Sequence, residues 1–137
     1  HLALSKIGTA EIDSNQLSEA LLNILDNAID ASSSGGQISI RTFLLRGDLE
    51  YLNIEIEDTG EGISEENIQK IFNPFFTTKP IGEGTGLGLA ITRRIIEEHG
   101  GSVKIESQLG KGTRVILVVP VSRPHSGQQH KKKVQVS

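Results

Sequence analysis

The spacing of apolar residues near the start of the chain predicts a long helix with one buried face. Asp13 or Ser14 is expected to cap this helix, because both side chains accept hydrogen bonds from free backbone N–H groups. The helix should end near Ser32, before the sequence Ser33-Ser34-Gly35-Gly36. Its apolar positions follow one another at the helical intervals of three and four: Leu17, Ala20, Leu21, Ile24, Leu25 and Ala28.

Alternation of apolar and polar residues predicts strands in much of the remaining chain, and residues 1–8 show no clear pattern. A helical turn is expected near Glu65–Phe72, and a second amphipathic helix over Thr85–His99 with His99 at its end. These elements predict an α+β fold, a two-layer α/β sandwich with a mixed, mostly antiparallel sheet of about five strands and about three helices on one face. The predicted strands are a short one within Thr9–Asp13, then Gln37–Leu45, Tyr51–Asp58, Ser102–Ser107 and Thr113–Val119.

Composition indicates a single domain. The chain has 137 residues, 36% of them apolar, which is enough to bury one core. We expect the folded domain to span residues 1–122 and residues 123–137 to form a polar, basic and disordered tail. Cysteine is absent, which excludes disulfides, thiol catalysis and cysteine-ligated zinc. No apolar run is long enough to cross a bilayer, and no signal peptide is expected before the first helix.

The formal charge of −3 conceals a more acidic domain. Four of the fourteen basic residues lie in 123–137, so the rest of the chain holds ten bases against seventeen acids. A domain with this excess of acids is a poor electrostatic match for nucleic acid, and no nucleic-acid partner is expected.

Amide and carboxylate side chains form a stripe beside the apolar face of the first predicted helix. Oxygens of this kind suit hard cations such as Mg²⁺, and no basic residue in the stripe neutralises them. An ordinary solvated helix face would show the same pattern, so the stripe alone leaves both interpretations open. Its members lie at spacings of three and four: Glu19, Asn23, Asp26, Asn27 and Asp30.

Two glycine-rich segments are candidate ligand contacts. Asp58 ends a predicted strand and precedes Thr59-Gly60-Glu61-Gly62, so its carboxylate could accept from a donor such as a purine amine while the bare backbone allows close approach. A simple turn would explain the same residues. The second segment, Gly82–Gly88, runs into the second predicted helix, where free N–H groups and the helix dipole suit phosphate. Its spacing fits neither a Walker A loop nor a Rossmann motif.

Residues 72–86 are expected to form a lid. Three of the four phenylalanines lie within Ile71–Phe76, in a long stretch with little periodicity. A long irregular segment in a compact domain is typical of a functional loop. Lys79 lies in this stretch and could contact a phosphate, although a merely solvated loop lysine is the alternative.

Taken in their order along the chain, these motifs resemble the ATP-binding fold of the Bergerat type, which is shared by sensor histidine kinases, gyrase B, MutL and the large heat-shock chaperones. The resemblance covers roughly residues 13–120. The matching segments are Asn23–Ala28 for the N box, Asp58–Gly62 for the G1 box, Ile71–Lys79 for the F box and lid, Gly84–Ala90 for the G2 box and Gly110–Thr113 for the last glycine motif.

The resemblance implies a site for ATP and Mg²⁺. It implies that Asn27 coordinates Mg²⁺ and that Asn23 supports the triphosphate. It also implies that Asp58 accepts from the adenine amine, that Thr113 lies near the adenine, and that the backbone of Gly82–Gly88 wraps the phosphates. The nucleotide-binding residues implied in this way are Asn23, Asn27, Asp58, Gly60, Gly62, Ile63, Phe76, Lys79, Gly84, Thr85, Gly86, Leu87, Gly88 and Thr113.

One position distinguishes the branches of this superfamily. In its ATPases and in the anti-sigma-factor serine kinases, a glutamate four residues before the metal-binding asparagine is the general base. Here Asn23 stands at that position, and an amide cannot accept a proton at neutral pH. The chain thus resembles the catalytic domain of a histidine kinase, which transfers the γ-phosphoryl of ATP to a histidine on another domain. A self-contained ATPase or ATP-gated dimerisation module is one alternative, and a nucleotide-binding regulatory module without transfer activity is another.

The resemblance also implies partners. None of the four histidines (His1, His99, His125 and His130) lies in the helical motif that carries the family's acceptor. The acceptor is expected on an upstream dimerisation and histidine-phosphotransfer domain, and the phosphoryl group then passes to an aspartate of a response regulator receiver domain. The isolated domain is expected to be a monomer and the full-length kinase a cytoplasmic homodimer, either free or anchored in the inner membrane. Arg93 and Arg94 are weaker candidates for a role at the site than Lys79, because solvation of the second helix would explain both, and their roles stay open.

Overall fold

The computed structural model describes residues 1–4, 9–121 and 134–135. The described residues form three helices and seven strands. In chain order these are β1 (Leu2–Leu4), β2 (Thr9–Ala10), α1 (Ser14–Ala31), β3 (Ile38–Arg46), β4 (Glu50–Asp58), α2 (Glu65–Ile68), α3 (Gly88–Glu98), β5 (Ser102–Gln108), β6 (Gly112–Val121) and β7 (Val134–Gln135).

Five strands form one mixed sheet in the order β1-β3-β4-β6-β5. β1 runs parallel to β3, and every other pair in this sheet is antiparallel, which confirms the predicted sheet type. The short strand expected within Thr9–Asp13 is present as β2, but it pairs with β7 in a separate two-stranded sheet. The fifth strand of the main sheet is β1, at one of its two edges. Three residues cannot display a period, and Leu2 and Leu4 are exposed, so β1 leaves no burial pattern to detect.

Helices α1 and α3 pack on one face of this sheet, which confirms the two-layer sandwich. Alternate residues of the two central strands point into the core, because side chains along a strand alternate between its faces. The α1 residue Ile24 and the α3 residue Ile96 meet them there and are 2% and 0% exposed. The strand residues of this core are Leu52, Ile54 and Ile56 of β4 and Val115, Leu117 and Val119 of β6.

The start of α1 is joined to the end of α3 by a hydrogen bond between Asp13 and His99. Asp13 caps α1 as predicted, since its Oδ1 accepts from the backbone N–H groups of Asn15 and Gln16 at 2.9 and 3.1 Å. His99 caps the end of α3, also as predicted. Its Nε2 accepts from the backbone N–H of Asp13 at 3.1 Å, so Nδ1 carries the proton and donates to the carbonyl of Ile95 at 2.7 Å.

The second long helix is shorter than predicted. It begins at Gly88 rather than Thr85, and Leu87 is its N-cap residue. Gly86 has a φ of +67°, a left-handed conformation that a right-handed helix cannot include. Its carbonyl accepts from the N–H of Phe75 at 2.9 Å, so residues 85–87 belong to the preceding loop.

Most of the predicted tail lies outside the described residues. Of residues 123–137 only β7 is described, so the expected disorder of this segment stays a prediction. In the described part of the chain, no helix is long and apolar enough to cross a membrane.

Candidate functional site

An open cleft of about 1280 Å³ lies between α1, the ends of β4 and β6, and the loop that leads to α3. Twelve of the fourteen residues predicted to form the site line this cleft. The other two are Gly60, which is buried outside the cleft wall, and Leu87, which is half-buried at the start of α3. Those that line the cleft are Asn23, Asn27, Asp58, Gly62, Ile63, Phe76, Lys79, Gly84, Thr85, Gly86, Gly88 and Thr113.

Helix α1 supplies one wall of the cleft. Four of the five residues of its polar stripe line the wall, at the spacing that the amphipathic pattern predicts: Asn23, Asp26, Asn27 and Asp30. Asn23 Nδ2 donates to the backbone carbonyl of Gly88 at 3.3 Å and thereby ties α1 to the first residue of α3. Asn27, one turn further along α1, is half-buried in the wall.

Asp58 lines the cleft at the end of β4 and is buried, with 7% of the residue exposed. Its Oδ1 accepts from the backbone N–H of Gly60 at 2.8 Å. Burial raises the pKa of the Asp58 carboxyl above its ordinary value of 3.8, and the negative charge of Glu57 adds to the shift, while backbone N–H bonds from Gly60 and Thr113 oppose it. This group is a hydrogen-bond acceptor held in place by the backbone.

The glycines after Asp58 are required by the fold itself. A Cβ on Gly60 would lie 2.4 Å from the carbonyl oxygen of Ala31, at the end of α1. Gly62 has a φ of +73°, and a Cβ there would lie 2.1 Å from the carbonyl oxygen of Gln108. These glycines therefore let the turn after Asp58 lie against other backbone segments of the protein, as expected if the motif is simply a turn. Gly62 also lines the cleft.

A serine that the sequence analysis did not single out lies behind this end of the cleft. Ser107 Oγ accepts from the backbone N–H of Ile63 at 2.8 Å and lies 2.8 Å from Thr113 Oγ1 and 3.0 Å from the carbonyl oxygen of Gly112. Ser107 pairs with Thr113 across the β5–β6 hairpin. That register could be read from the turn at Gly110, because the two residues are equally far from it.

The loop expected to form a lid supplies part of the cleft wall. Its base is closed by the hydrogen bond from Phe75 N–H to the carbonyl of Gly86. Phe75 has a φ of +68°, which is rare for a residue with a side chain, and is 76% exposed, whereas Phe76 lines the cleft. Ile71 is buried and anchors the start of the loop.

Lys79 Nζ forms an ion pair with Asp30 Oδ2, so the loop is joined to α1 across the cleft. The two residues are far apart in the sequence, and the sequence analysis did not predict their contact. Among the described residues that line the cleft, Lys79 is the single base, against five acids: Asp26, Asp30, Asp58, Glu61 and Glu83.

Arg93 and Arg94 do not line the cleft. Each pairs along α3 with a glutamate four residues later, and Arg93 also lies 5.3 Å from the ring centroid of Phe72. That distance permits a cation–π contact between α3 and the start of the loop, a contact the sequence did not indicate.

Comparison with known proteins gives a consistent result. The family model described as "Histidine kinase-, DNA gyrase B-, and HSP90-like ATPase" matches residues 12–123. The sensor kinase CckA of Brucella abortus is 39% identical, over 79% of this chain and 13% of its own length. The sensor histidine kinase ZraS of Escherichia coli K12 is 40% identical, over 82% of this chain and 23% of its own length. The chain thus spans less than a quarter of these relatives.

Solved structures agree with the sequence relatives. A mycobacterial sensor histidine kinase, MprB, superposes with a TM-score of 0.75 and 31% identity, over 88% of this chain and 80% of that chain. The catalytic domain of the histidine kinase ThkA gives a TM-score of 0.74 and 34% identity, over 88% of this chain and 76% of that chain. The chain therefore belongs to the family of histidine kinase-, DNA gyrase B- and HSP90-like ATPases, as an ATP-binding catalytic domain of the histidine kinase type.

Proposed function

We propose that the cleft binds Mg²⁺·ATP and delivers its γ-phosphoryl group to a histidine on a separate dimerisation domain. The observation that carries the proposal is the placement of two different sets of groups in one cleft. Where β4 and β6 pair, Asp58 and Thr113 offer hydrogen bonds suited to a purine edge. On α1 and the loop before α3, Asn27, Lys79 and the glycine-rich segment offer an amide oxygen, an ammonium and backbone N–H groups, which suit a metal-bound polyphosphate.

The charge of the cleft supports a requirement for a divalent cation. The described residues of the cleft wall include five acids and one base, a balance that repels a bare polyphosphate. That base, Lys79, is already paired with Asp30. When bound, Mg²⁺ would supply positive charge that neutralises the phosphates. Asn27 is the residue we assign to hold it, since Mg²⁺ usually binds through one or two protein oxygens and otherwise through water and phosphate.

The residues that we assign to the nucleobase favour adenine. The ionised Asp58 carboxylate accepts hydrogen bonds and cannot donate, so it favours a base whose facing group is an amine. Backbone bonds from Gly60 and Thr113 fix the carboxylate, which makes it a preorganised acceptor. Glycine at position 62 lets the turn after Asp58 pass close to the β5–β6 hairpin and so completes this part of the cleft.

The position that carries the general base in related ATPases holds an amide in this chain, and this supports transfer to an external acceptor. Asn23, the residue at the position where related ATPases carry a base, donates to the carbonyl of Gly88 and has no basic atom. Both ring nitrogens of His99 are already hydrogen-bonded, Nε2 to the N–H of Asp13 and Nδ1 to the carbonyl of Ile95, and His99 does not line the cleft. The chain would thus position the phosphoryl donor, and the imidazole of the acceptor histidine would itself be the nucleophile.

The remaining elements of the function follow from this assignment. The acceptor histidine would lie on an upstream dimerisation domain of the same protein, which acts as a homodimer. An aspartate of a response regulator receiver domain would then take the phosphoryl group. The relatives are several times longer than this chain, which supports the presence of further domains in the full protein. We place the domain on the cytoplasmic side, whether or not the full protein is anchored in the inner membrane.

Substitution of Asn27 tests the metal assignment. Asn27→Ala should abolish the strengthening of ADP binding by Mg²⁺ while thermal unfolding stays cooperative. Asn15→Ala is the matched control, because Asn15 is an exposed asparagine in the first turn of the same helix and does not line the cleft. An unchanged Mg²⁺ dependence in Asn27→Ala would refute the assignment. Sustained ATP hydrolysis by the chain alone would favour the self-contained ATPase instead.

A further inference from the structure

We propose that Ser107 is a positioning residue for base recognition and acts through the hydroxyl of Thr113. This inference rests on the proposed nucleotide site and extends it to a residue outside the cleft wall. Ser107 lies on β5 and does not line the cleft, whereas Thr113 and Ile63, which it contacts, both do. It therefore joins two parts of the wall from behind.

Two of the three contacts of Ser107 Oγ compete for its single proton. Ile63 N–H donates to Ser107 Oγ at 2.8 Å, so Ser107 is an acceptor in that bond. The carbonyl oxygen of Gly112 at 3.0 Å can only accept, and Thr113 Oγ1 at 2.8 Å can accept or donate. A hydroxyl has one proton and two lone pairs, so Ser107 can donate to Gly112 or to Thr113, but not to both at full strength.

The two arrangements differ in what Thr113 offers to the cleft. If Ser107 donates to Gly112, Thr113 must donate its proton to Ser107 to keep their hydrogen bond, and only lone pairs of Thr113 remain for a ligand. If Ser107 donates to Thr113, the proton of Thr113 is free to point into the cleft. The proton of Ser107 thus decides whether Thr113 meets the ligand as an acceptor or as a donor.

An adenine edge selects the second arrangement. Its amine is a donor, which suits Asp58, and the ring nitrogen beside the amine, N1, is an acceptor, which requires a donor from the protein. Thr113 can supply that donor, directly or through a water, while Ser107 holds its oxygen in place. The short contact between Ser107 and Thr113 keeps the threonine hydroxyl in one rotamer, and Ile63 N–H holds Ser107 in turn.

The test compares ADP with 1-deaza-ADP, in which a carbon replaces N1. For the wild-type chain we expect ADP to bind about threefold to tenfold more tightly than 1-deaza-ADP, the range of one neutral hydrogen bond. In Ser107→Ala the preference should fall to within about twofold, because Thr113 is no longer oriented. Ser102→Ala is the matched control, since Ser102 is an exposed serine on the same strand and does not line the cleft.

A double-mutant comparison identifies the route. In a Thr113→Val background, Ser107→Ala should not change the ratio of the two affinities further, because the group through which it acts is gone. A purely structural role would weaken both nucleotides equally and leave the ratio unchanged, which would overturn the proposal. Ser107→Cys, which keeps the volume but donates weakly, gives the same test if the alanine variant does not fold. Failure of the wild-type chain to bind ADP would refute the proposed function itself, a different result.

Discussion

Gly86 joins the candidate lid to the start of α3, and substitution by alanine tests whether that loop takes part in nucleotide binding. Gly86 has a φ of +67°, and its carbonyl accepts from the N–H of Phe75 at 2.9 Å. A Cβ at this position would lie 2.4 Å from the carbonyl carbon of Phe75. The variant must therefore adopt a left-handed conformation and also push away the backbone of Phe75.

The cost can be estimated from these two effects. A residue with a side chain loses about 1–2 kcal/mol in the left-handed conformation. Displacement of Phe75 also removes a backbone hydrogen bond worth about 0.5–1.5 kcal/mol. A total of roughly 2–3 kcal/mol corresponds to a loss of nucleotide affinity of about 30- to 150-fold if the nucleotide-bound state requires the loop conformation with the Phe75–Gly86 hydrogen bond.

Gly82 provides the matched control in the same loop. Its φ is +88°, yet a Cβ there would meet no atom within 4 Å. Gly82→Ala therefore carries the conformational cost of about 1–2 kcal/mol without the steric one, and its loss of affinity should be smaller than that of Gly86→Ala. The assay is calorimetric titration of each variant with ADP in the presence of Mg²⁺, with thermal unfolding measured alongside. Equal affinities for Gly86→Ala and the wild type would show that the Phe75–Gly86 contact plays no part in the bound state.

Three further substitutions test other parts of the structure. Asp58→Asn should be more stable than the wild type at about pH 7, because burial raises the pKa of Asp58 and its ionisation therefore costs folding free energy. The difference in unfolding free energy between the two proteins should shrink as the pH falls through that raised pKa, which urea unfolding from about pH 7 to about pH 4 measures. A difference that does not change with pH would contradict the burial of the Asp58 carboxylate. Asp30→Asn should strengthen ADP binding a few-fold, because it releases Lys79. It should cost at most about 1 kcal/mol of stability, since both side chains of the ion pair are partly exposed. Weaker ADP binding would instead show that the ion pair supports the loop in the bound state. Ile96→Ala should lose about 2–5 kcal/mol in urea unfolding, because Ile96 is fully buried between the layers, and a loss below about 1 kcal/mol would mean that the core relaxes around it.

The elements with a clear burial pattern were predictable from the sequence. Helix α1 repeats its apolar residues over 18 residues, so its period and its Asp13 cap could be recognised. The strands β4 and β6 alternate over nine and ten residues and were predicted within two residues at each end. The three exposed residues of β1 carry no such pattern, and their place in the sheet depends on pairing with β3.

The helix boundary that was wrong and the contacts that were missed depend on three-dimensional placement. The start of α3 is set by the left-handed Gly86 and its bond to Phe75, and amphipathic spacing alone cannot reveal a φ value. The ion pair of Lys79 with Asp30 spans 49 positions and requires the loop to fold over α1. The glycine motifs indicated a close approach of the backbone to a ligand or to another segment, but only the structure shows that Gly60 lies against Ala31.

Calorimetric titration of the wild-type chain with ADP, with and without Mg²⁺, tests whether the cleft binds a metal-bound adenine nucleotide. We expect saturable binding of one ADP per chain that strengthens when Mg²⁺ is present, because the described residues of the cleft wall include five acids and one base. Absence of binding at millimolar ADP, or binding that Mg²⁺ leaves unchanged, would contradict it.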